Sequence, residues 1–284
     1  MGNEMLLKFT KMQGAGNDFV MINGISQNVA ATKELIRHLS DRHYGIGADQ
    51  VLIVEKTQLP EVDFRYRIFN ADGHEVEQCG NGARCFARFV FDQGLTNKRR
   101  IRVETQKSII EPEILENGQI RVMMGCPSIN PSDLPLLTRG LVCQMNRQLP
   151  IYQYEGVTFA PVSMGNPSAV VFVDDVEAFN VLEVGQKLCF APCFPKQTNV
   201  VFMEICDRHK AKVRVFERGA GETLACGSGT CSGVVAAMLA RKVSEFVEVQ
   251  AHGGLLSIQW DGQMSSPVYL VGDAVKVFDG EIMI

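Results

Sequence analysis

Long apolar runs are missing from this chain. Nowhere do about 18 uninterrupted apolar residues occur, so no membrane-crossing helix is expected. Met1 to Phe9 also lacks the apolar stretch of a signal peptide, and the protein is expected in the cytoplasm. Met5 reads as the natural start, with residues 1–4 a leader. Charge of one sign is scarce too. The net charge is -4 and no block of like charge occurs, which argues against nucleic acid or a membrane surface as partner. The longest basic run, Lys98-Arg99-Arg100, reads as a solvated turn. CxxC spacing is absent among the nine cysteines, and the five histidines are scattered. Neither a zinc site nor a thioredoxin-like motif follows, no metal is expected, and in a reducing compartment the cysteines are mostly free thiols.

What is present is ordinary globular material, 284 residues with 46% apolar content, enough for one large domain or two of about half that length. The chain also says one thing twice. Under a shift of 147 residues Arg67 meets Arg214, Phe69 meets Phe216, Glu75 meets Glu222, and Cys79-Gly80-Asn81-Gly82 meets Cys226-Gly227-Ser228-Gly229. Earlier in each half, Gly16-Asn17-Asp18-Phe19-Val20 is echoed at a shift of 149 by Gly165-Asn166-Pro167-Ser168-Ala169-Val170. Two matches at nearly one shift point to a duplicated unit.

In each copy the Cys-Gly-x-Gly segment follows a run with strand alternation: Phe64, Tyr66 and Ile68 around Arg65 and Arg67, then Val213 and Val215 around Arg214. Helical spacing follows each, in Phe86, Phe89 and Val90 and in Val235, Met238 and Leu239, with Gly94 a stop for the first. Further strands are expected at 50–54, 101–104, 120–124, 169–173, 200–205, 246–250 and 255–260, and a helix around Leu35, Ile36 and Leu39. Strands outnumber helices, which favours an α+β fold over regular βαβ winding. The stretch 126–149, rich in Pro, Ser and Asn, is the expected linker, dividing the chain into halves 5–130 and 131–271.

A thiol in a glycine-rich turn before a helix lies where unpaired N–H groups and the helix dipole favour an anion, so its thiolate form is made accessible near neutral pH. The same N–H groups can hold a carboxylate and the charge that grows on it when an α-proton leaves. With the halves related by pseudo-twofold symmetry, Cys79 and Cys226 would face one α-carbon from opposite sides. One removes a proton, the other returns one, and the centre inverts. The other cysteines, Cys85, Cys126, Cys143, Cys189, Cys193, Cys206 and Cys231, are read as inert core thiols. Gly14-Ala15-Gly16 lacks the third glycine of a dinucleotide fingerprint. Cys226-Gly227-Ser228-Gly229-Thr230 lacks both the lysine of a phosphate loop and the Gly-x-Ser-x-Gly of a serine elbow.

Six motifs occur in an order that resembles the diaminopimelate epimerase family from about Leu7 to the C-terminus. They are Phe9-Thr10-Lys11-Met12-Gln13-Gly14-Ala15-Gly16-Asn17-Asp18-Phe19, Asn70-Ala71-Asp72-Gly73, Cys79-Gly80-Asn81-Gly82-Ala83-Arg84-Cys85, Gly165-Asn166-Pro167, Thr198-Asn199-Val200, and Glu217-Arg218-Gly219-Ala220-Gly221-Glu222-Thr223 with Ala225-Cys226-Gly227-Ser228-Gly229. The resemblance implies two pseudo-symmetric, duplicated domains, each with its sheet wrapped around a central helix and the active site in the cleft between them. It also implies a C-terminal strand, 272–284, returning to the first domain. No pyridoxal phosphate, other cofactor or metal is implied. The implied reaction interconverts LL- and meso-diaminopimelate on the bacterial route to lysine and peptidoglycan. Cys79 and Cys226 match the catalytic pair. On the same resemblance, substrate contacts would fall on Asn17, Gln50, Asn70, Gly80, Asn81, Asn166, Asn199, Glu217, Arg218, Gly227 and Ser228. Side-chain amides can donate to a carboxylate and accept from an ammonium, and Arg218 suits a distal carboxylate. Ser168 stands where the family usually has histidine, and Gln197 where it usually has arginine. A serine cannot titrate, so rate or pH optimum is affected more than reaction type. Glu217 is a candidate tuner of the acid/base pair.

Competing readings are a proline-type racemase, a dithiol redox protein and an amino-acid binding module. Arg218 would lack a partner in the first, and the last would have no activity to lose on Cys→Ser exchange. The partner is expected to be a small-molecule substrate, with no nucleic acid and no membrane, and a homodimer is left open as the assembly.

Overall fold

The computed structural model describes residues 5–77 and 79–284; the expected leader, residues 1–4, and Gln78 lie outside the described residues. In chain order the elements are β1 (Leu6–Gly14), β2 (Asn17–Asn23), α1 (Lys33–Ser40), β3 (Gln50–Glu55), β4 (Phe64–Asn70), β5 (Glu75–Val76), α2 (Gly80–Asp92), β6 (Val103–Glu104), β7 (Ile109–Ile110), β8 (Glu113–Ile114), β9 (Ile120–Met123), β10 (Val142–Asn146), β11 (Leu149–Tyr154), β12 (Val157–Ser163), β13 (Pro167–Phe172), α3 (Val181–Cys189), β14 (Asn199–Ile205), β15 (Lys210–Glu217), β16 (Gly221–Thr223), α4 (Gly227–Leu239), β17 (Phe246–Ala251), β18 (Gly254–Gln259), β19 (Tyr269–Gly272) and β20 (Val275–Met283). They form two compact units: residues up to Val122 with Gly272–Ile284, and Met123–Val271.

The units share one wiring. In the first, the sheet runs β20-β1-β2-β3-β4-β6-β7 with β5 folded back on β4. In the second it runs β10-β11-β12-β13-β14-β15-β17-β18 with β16 folded back on β15. From β1 to β6 the pairings alternate antiparallel, parallel, antiparallel, parallel. From β12 to β17 they do the same. Phe69 pairs with Glu75 and Phe216 with Glu222, at one shift. Each hairpin is clamped by a two-pronged ion pair. Arg67 donates to both oxygens of Glu75 at 2.9 and 2.7 Å, and Arg214 to both oxygens of Glu222 at 2.6 and 3.0 Å. The matched arginines and glutamates of the sequence are therefore one device used twice.

Helices α2 and α4 are also equivalent, each of 13 residues. Helix α2 lies against β1, β2, β3 and β20, and α4 against β12 to β15 and β18, so each sheet curls around its own helix. Helix α4 is apolar or small nearly all round, as full burial requires. The second glycine of each Cys-Gly-x-Gly makes this approach possible. A Cβ on Gly82 would lie 3.0 Å from Ile68 Cδ1, and one on Gly229 3.3 Å from Val215, which is Ile68's counterpart. On the opposite sheet faces sit α1 and α3. Ile36 and Leu39 pack with Leu7, Phe9, Val20, Ile22, Val51 and Phe69, while Val181 and Leu188 pack with Phe159, Phe194, Phe202 and Phe216.

Two segments read differently in three dimensions. Gly14-Ala15-Gly16 is part of a tight hairpin: Gly14 pairs with Asn17, and Ala15 and Gly16 have φ of 51° and 80°, the positive pair a type I′ connection needs. The Pro-, Ser- and Asn-rich stretch 126–149 is not a free linker. It holds a 3₁₀ turn at Pro131–Asp133 and the exposed strand β10, and it buries Leu134 and Leu136 in the second unit's core. Its apolar residues are too few and irregular to show periodicity; Leu134 and Leu136 find sockets, while Leu137, Val142 and Met145 stay exposed. Strand β20 pairs antiparallel with β1. No helix among the described residues is long and apolar enough to cross a membrane.

Candidate active site

The two cysteines are the N-cap residues of the two central helices, with extended φ/ψ of -141°/125° at Cys79 and -121°/111° at Cys226. A strand must end and a helix begin at each, and the flanking glycines let the backbone turn without obstruction.

In the first unit the half-buried Cys79 Sγ accepts from the Gly82 amide at 3.4 Å and lies 3.6 Å from Asn17 Oδ1, to which its thiol donates. Asn81 Nδ2 donates to the same Asn17 oxygen at 3.4 Å. The Cys79 amide donates to the Tyr66 hydroxyl at 3.1 Å, anchoring the helix start on β4. Tyr66 is wholly buried, and burial together with the nearby Cys79 pushes its phenol well above the usual range. Gln50 and Asn70, opposite each other on β3 and β4, join through Gln50 Nε2 to Asn70 Oδ1 at 2.8 Å. The buried Gln50 Oε1 and Asn81 Oδ1 have no hydrogen-bond partner among the described residues, as acceptors kept for a ligand would be.

In the second unit Cys226 is buried, and its Sγ donates to Glu217 Oε2 at 2.9 Å, with Ser228 Oγ at 3.6 Å. Thr223 Oγ1 holds the other Glu217 oxygen at 2.6 Å. Burial raises the Cys226 thiol well above its ordinary range, and the charge and hydrogen bond of Glu217 add to that; the Gly229 amide and Ser228 pull the other way and lose. The thiolate is therefore less accessible at Cys226 than its place at a helix start implies. A helix N-terminus favours an anion, but desolvation and an adjoining carboxylate outweigh it. Arg218, next along the chain from Glu217, gathers the remaining residues. Its amide donates to Asn199 Oδ1 at 3.1 Å, and its guanidinium to Asn166 Oδ1 and to the Lys196 carbonyl, both at 3.4 Å.

In the first unit Asn17 and Asn81 gather with Cys79 while Gln50 and Asn70 pair with each other on β3 and β4; in the second, Glu217 and Ser228 touch Cys226, and Arg218, next to Glu217, holds Asn166 and Asn199. The halves differ at one decisive place, because Glu217 falls on Asn70 under the 147-residue shift. Ser168 is wholly buried in β13 opposite Asn199, its hydroxyl without a partner among the described residues. Gln197 sits in the turn before β14 with φ of 59°, its amide bonded to Phe194. Sequence reasoning assigned no site role to Asp49, Tyr66 or Thr223, although Thr223 stands within the last motif; each touches a site residue. For Asp49 the one signal was its adjacency to Gln50, and for Thr223 its place in the motif.

The inert-core reading of the other cysteines needs correction for three. Cys85, Cys189, Cys193 and Cys231 are buried, but Cys126, Cys143 and Cys206 are exposed. Cys143 lies on β10, where every residue faces solvent. Among the described residues no group of three or more His, Cys, Asp or Glu is placed to hold a metal ion.

Among solved structures, a phenazine biosynthesis protein of the PhzF family from Bacillus anthracis has the same fold, with TM-score 0.70 and 16% identity over 99% of this chain and 100% of its own. A hydroxyproline epimerase from Agrobacterium vitis, with bound trans-4-hydroxy-L-proline, gives TM-score 0.69 and 11% identity over 100% and 93%. In sequence, the diaminopimelate epimerase of Cupriavidus taiwanensis is 51% identical over 98% of both chains. That of Aromatoleum aromaticum is 51% identical over 98% of this chain and 99% of its own. A profile of the family described as diaminopimelate epimerase matches residues 9–130 and 160–277. With that match over most of its length, and relatives at half identity end to end, this isomerase chain belongs to the diaminopimelate epimerase family.

Proposed function

We propose that the protein epimerises LL-diaminopimelate to meso-diaminopimelate without a cofactor, with Cys79 and Cys226 as the acid/base pair. The observation that carries this reading is the repeated placement of a cysteine at the N-cap of each central helix, beside a group that accepts the hydrogen bond of its thiol. A thiolate on one side takes the α-proton, and the C–H electron pair passes into the α-carboxylate. The carbanionic carbon then takes the thiol proton from the other side, leaving thiolate there, so no net proton is used. Cys226, held as a thiol by burial and Glu217, enters as the acid with Cys79 as the base. In the reverse direction the roles exchange.

The amides of Gly80, Asn81, Gly227 and Ser228 open their helices, where N–H groups lack intrahelical acceptors, and are the donors assigned to the reacting carboxylate. Arg218 with Asn166 and Asn199 is assigned to the distal carboxylate and amine, and Asn17, Gln50 and Asn70 to the remaining polar groups. The reaction belongs to the route to lysine and peptidoglycan, in the cytoplasm. A second copy of the chain as partner is supported by apolar residues left exposed on β20, namely Val275, Val277, Phe278 and Met283.

The test is deuterium exchange from D₂O into the α-carbon of LL-diaminopimelate under reducing conditions, comparing wild type with Cys79→Ala and Cys226→Ala. Deuterium entering as the LL-isomer disappears, with epimerisation lost in both variants, is expected. No exchange in fully reduced wild-type protein would remove the substrate assignment and make another amino acid the candidate.

A further inference from the structure

Asn17 touches Cys79 through its oxygen, and something must decide that the oxygen rather than the nitrogen faces the sulfur. An amide offers either end, and the two ends have opposite effects on a thiol: a carbonyl stabilises S–H, whereas an N–H stabilises the thiolate. The choice is settled on the far side of the amide. Asn17 Nδ2 donates to Asp49 Oδ2 at 2.9 Å, and a carboxylate can only accept, so the NH₂ is committed there and Oδ1 is left toward Cys79 and Asn81.

Asp49 is itself fixed. It and Asp18 exchange backbone amides: Asp49 N–H donates to Asp18 Oδ1 at 2.8 Å, and Asp18 N–H to Asp49 Oδ2 at 3.2 Å. Arg42 bridges the two carboxylates, reaching Asp18 at 2.8 and 2.9 Å and Asp49 at 2.9 Å. Lys11 closes the group on Asp18 at 2.7 Å and also donates to the Gly47 carbonyl. The parallel start of β2 and β3, with Phe19 opposite Gln50, brings these residues together. The second unit has the corresponding chain by other means, Thr223 orienting Glu217 and Glu217 accepting the hydrogen bond of the Cys226 thiol.

We propose that Asp49 is a positioning residue that locks the Asn17 amide so that Cys79 has an acceptor for its proton on one side and the Gly82 donor for its thiolate on the other. Cys79 can then rest in either protonation state, as a group serving alternately as acid and base must. The inference rests on the assignment of Cys79 to proton transfer. Among the described residues, ionisable groups that interact with this sulfur include Tyr66 on β4 and Cys85 on α2.

The experiment follows the pH dependence of iodoacetamide alkylation at the Cys79 peptide, resolved by mass spectrometry, in wild type, Asp49→Ala and Asp49→Asn. No substrate is present, so the outcome does not depend on which amino acid the enzyme uses. With Asp49 removed, the amide is free to turn its NH₂ to the sulfur, and the Cys79 midpoint is expected to fall by about one pH unit. Asp49→Asn should shift it in the same direction, and it supplies the measurement if Asp49→Ala does not fold. An unmoved or raised midpoint in a folded variant would show that Asp49 only braces the loop, and would overturn the proposal.

Discussion

Glu217→Gln should lower the pH at which Cys226 loses its proton. The buried sulfur lies 2.9 Å from Glu217 Oε2. At that separation, in surroundings of effective dielectric constant about 20, a unit charge and a thiolate repel by about 6 kcal/mol, or about four pKa units. Four is an upper figure, because the charge is shared with Oε1, which is turned to Thr223. A fall of at least about two units remains. The sign is unambiguous: the carboxylate disfavours the anionic sulfur, so its removal makes the thiol more acidic. Peptide-resolved alkylation from about pH 6 to about pH 10 shows Cys226 reacting at lower pH in the variant than in wild type, whose midpoint is raised well above the ordinary thiol range, with the Cys79 peptide in the same digest as internal reference. If Cys226 must be a thiol to return the proton, the basic limb of the kcat/KM profile should move down with it. A Cys226 midpoint that stays or rises, in a variant with near wild-type thermal stability, would refute the reasoning.

Gly185→Ala should destabilise the protein by about 1–3 kcal/mol despite better helix propensity, because the new methyl would lie 2.6 Å from Phe216 Cβ. Activity should fall too, since Phe216 adjoins Glu217, and both effects are read by calorimetry and initial rates. Cys85, whose thiol burial pushes up to about 12, should resist alkylation at pH 8 while the exposed Cys126, Cys143 and Cys206 react. Arg214→Ala should cost more in urea titration than Arg67→Ala, by about 1 kcal/mol, because Arg214 also holds the carbonyls of Val176, Glu177 and Phe179. Burial alone would raise Asp18, but hydrogen bonds from Arg42 and Lys11 hold it well below the usual carboxylate range. A depressed native value adds stability above the unfolded value and loses it as pH falls toward the native one. Melting temperature should therefore drop below about pH 4, and less steeply in Asp18→Asn.

Much of the site was legible because the chain repeats itself. Chemistry-bearing residues recur with their local context, as Cys79 and Cys226 do in Cys-Gly-x-Gly, and side chains that alternate or recur at helical spacing announce β4, β15, α2 and α4 without reference to partners. Duplication, fold class and the two cysteines follow from that regularity alone. What stayed hidden depends on neighbours remote in sequence. Leu134 and Leu136 lie in a stretch without period, so tertiary packing alone ordered them, while the exposed β10 is held by its hairpin with β11. Asp49 meets Asn17 only when β2 and β3 lie parallel, and Thr223 meets Glu217 only across a hairpin. The protonation of Cys226 was likewise beyond the sequence: a motif places a sulfur at a helix start, but burial and one carboxylate 2.9 Å away decide whether it holds its proton.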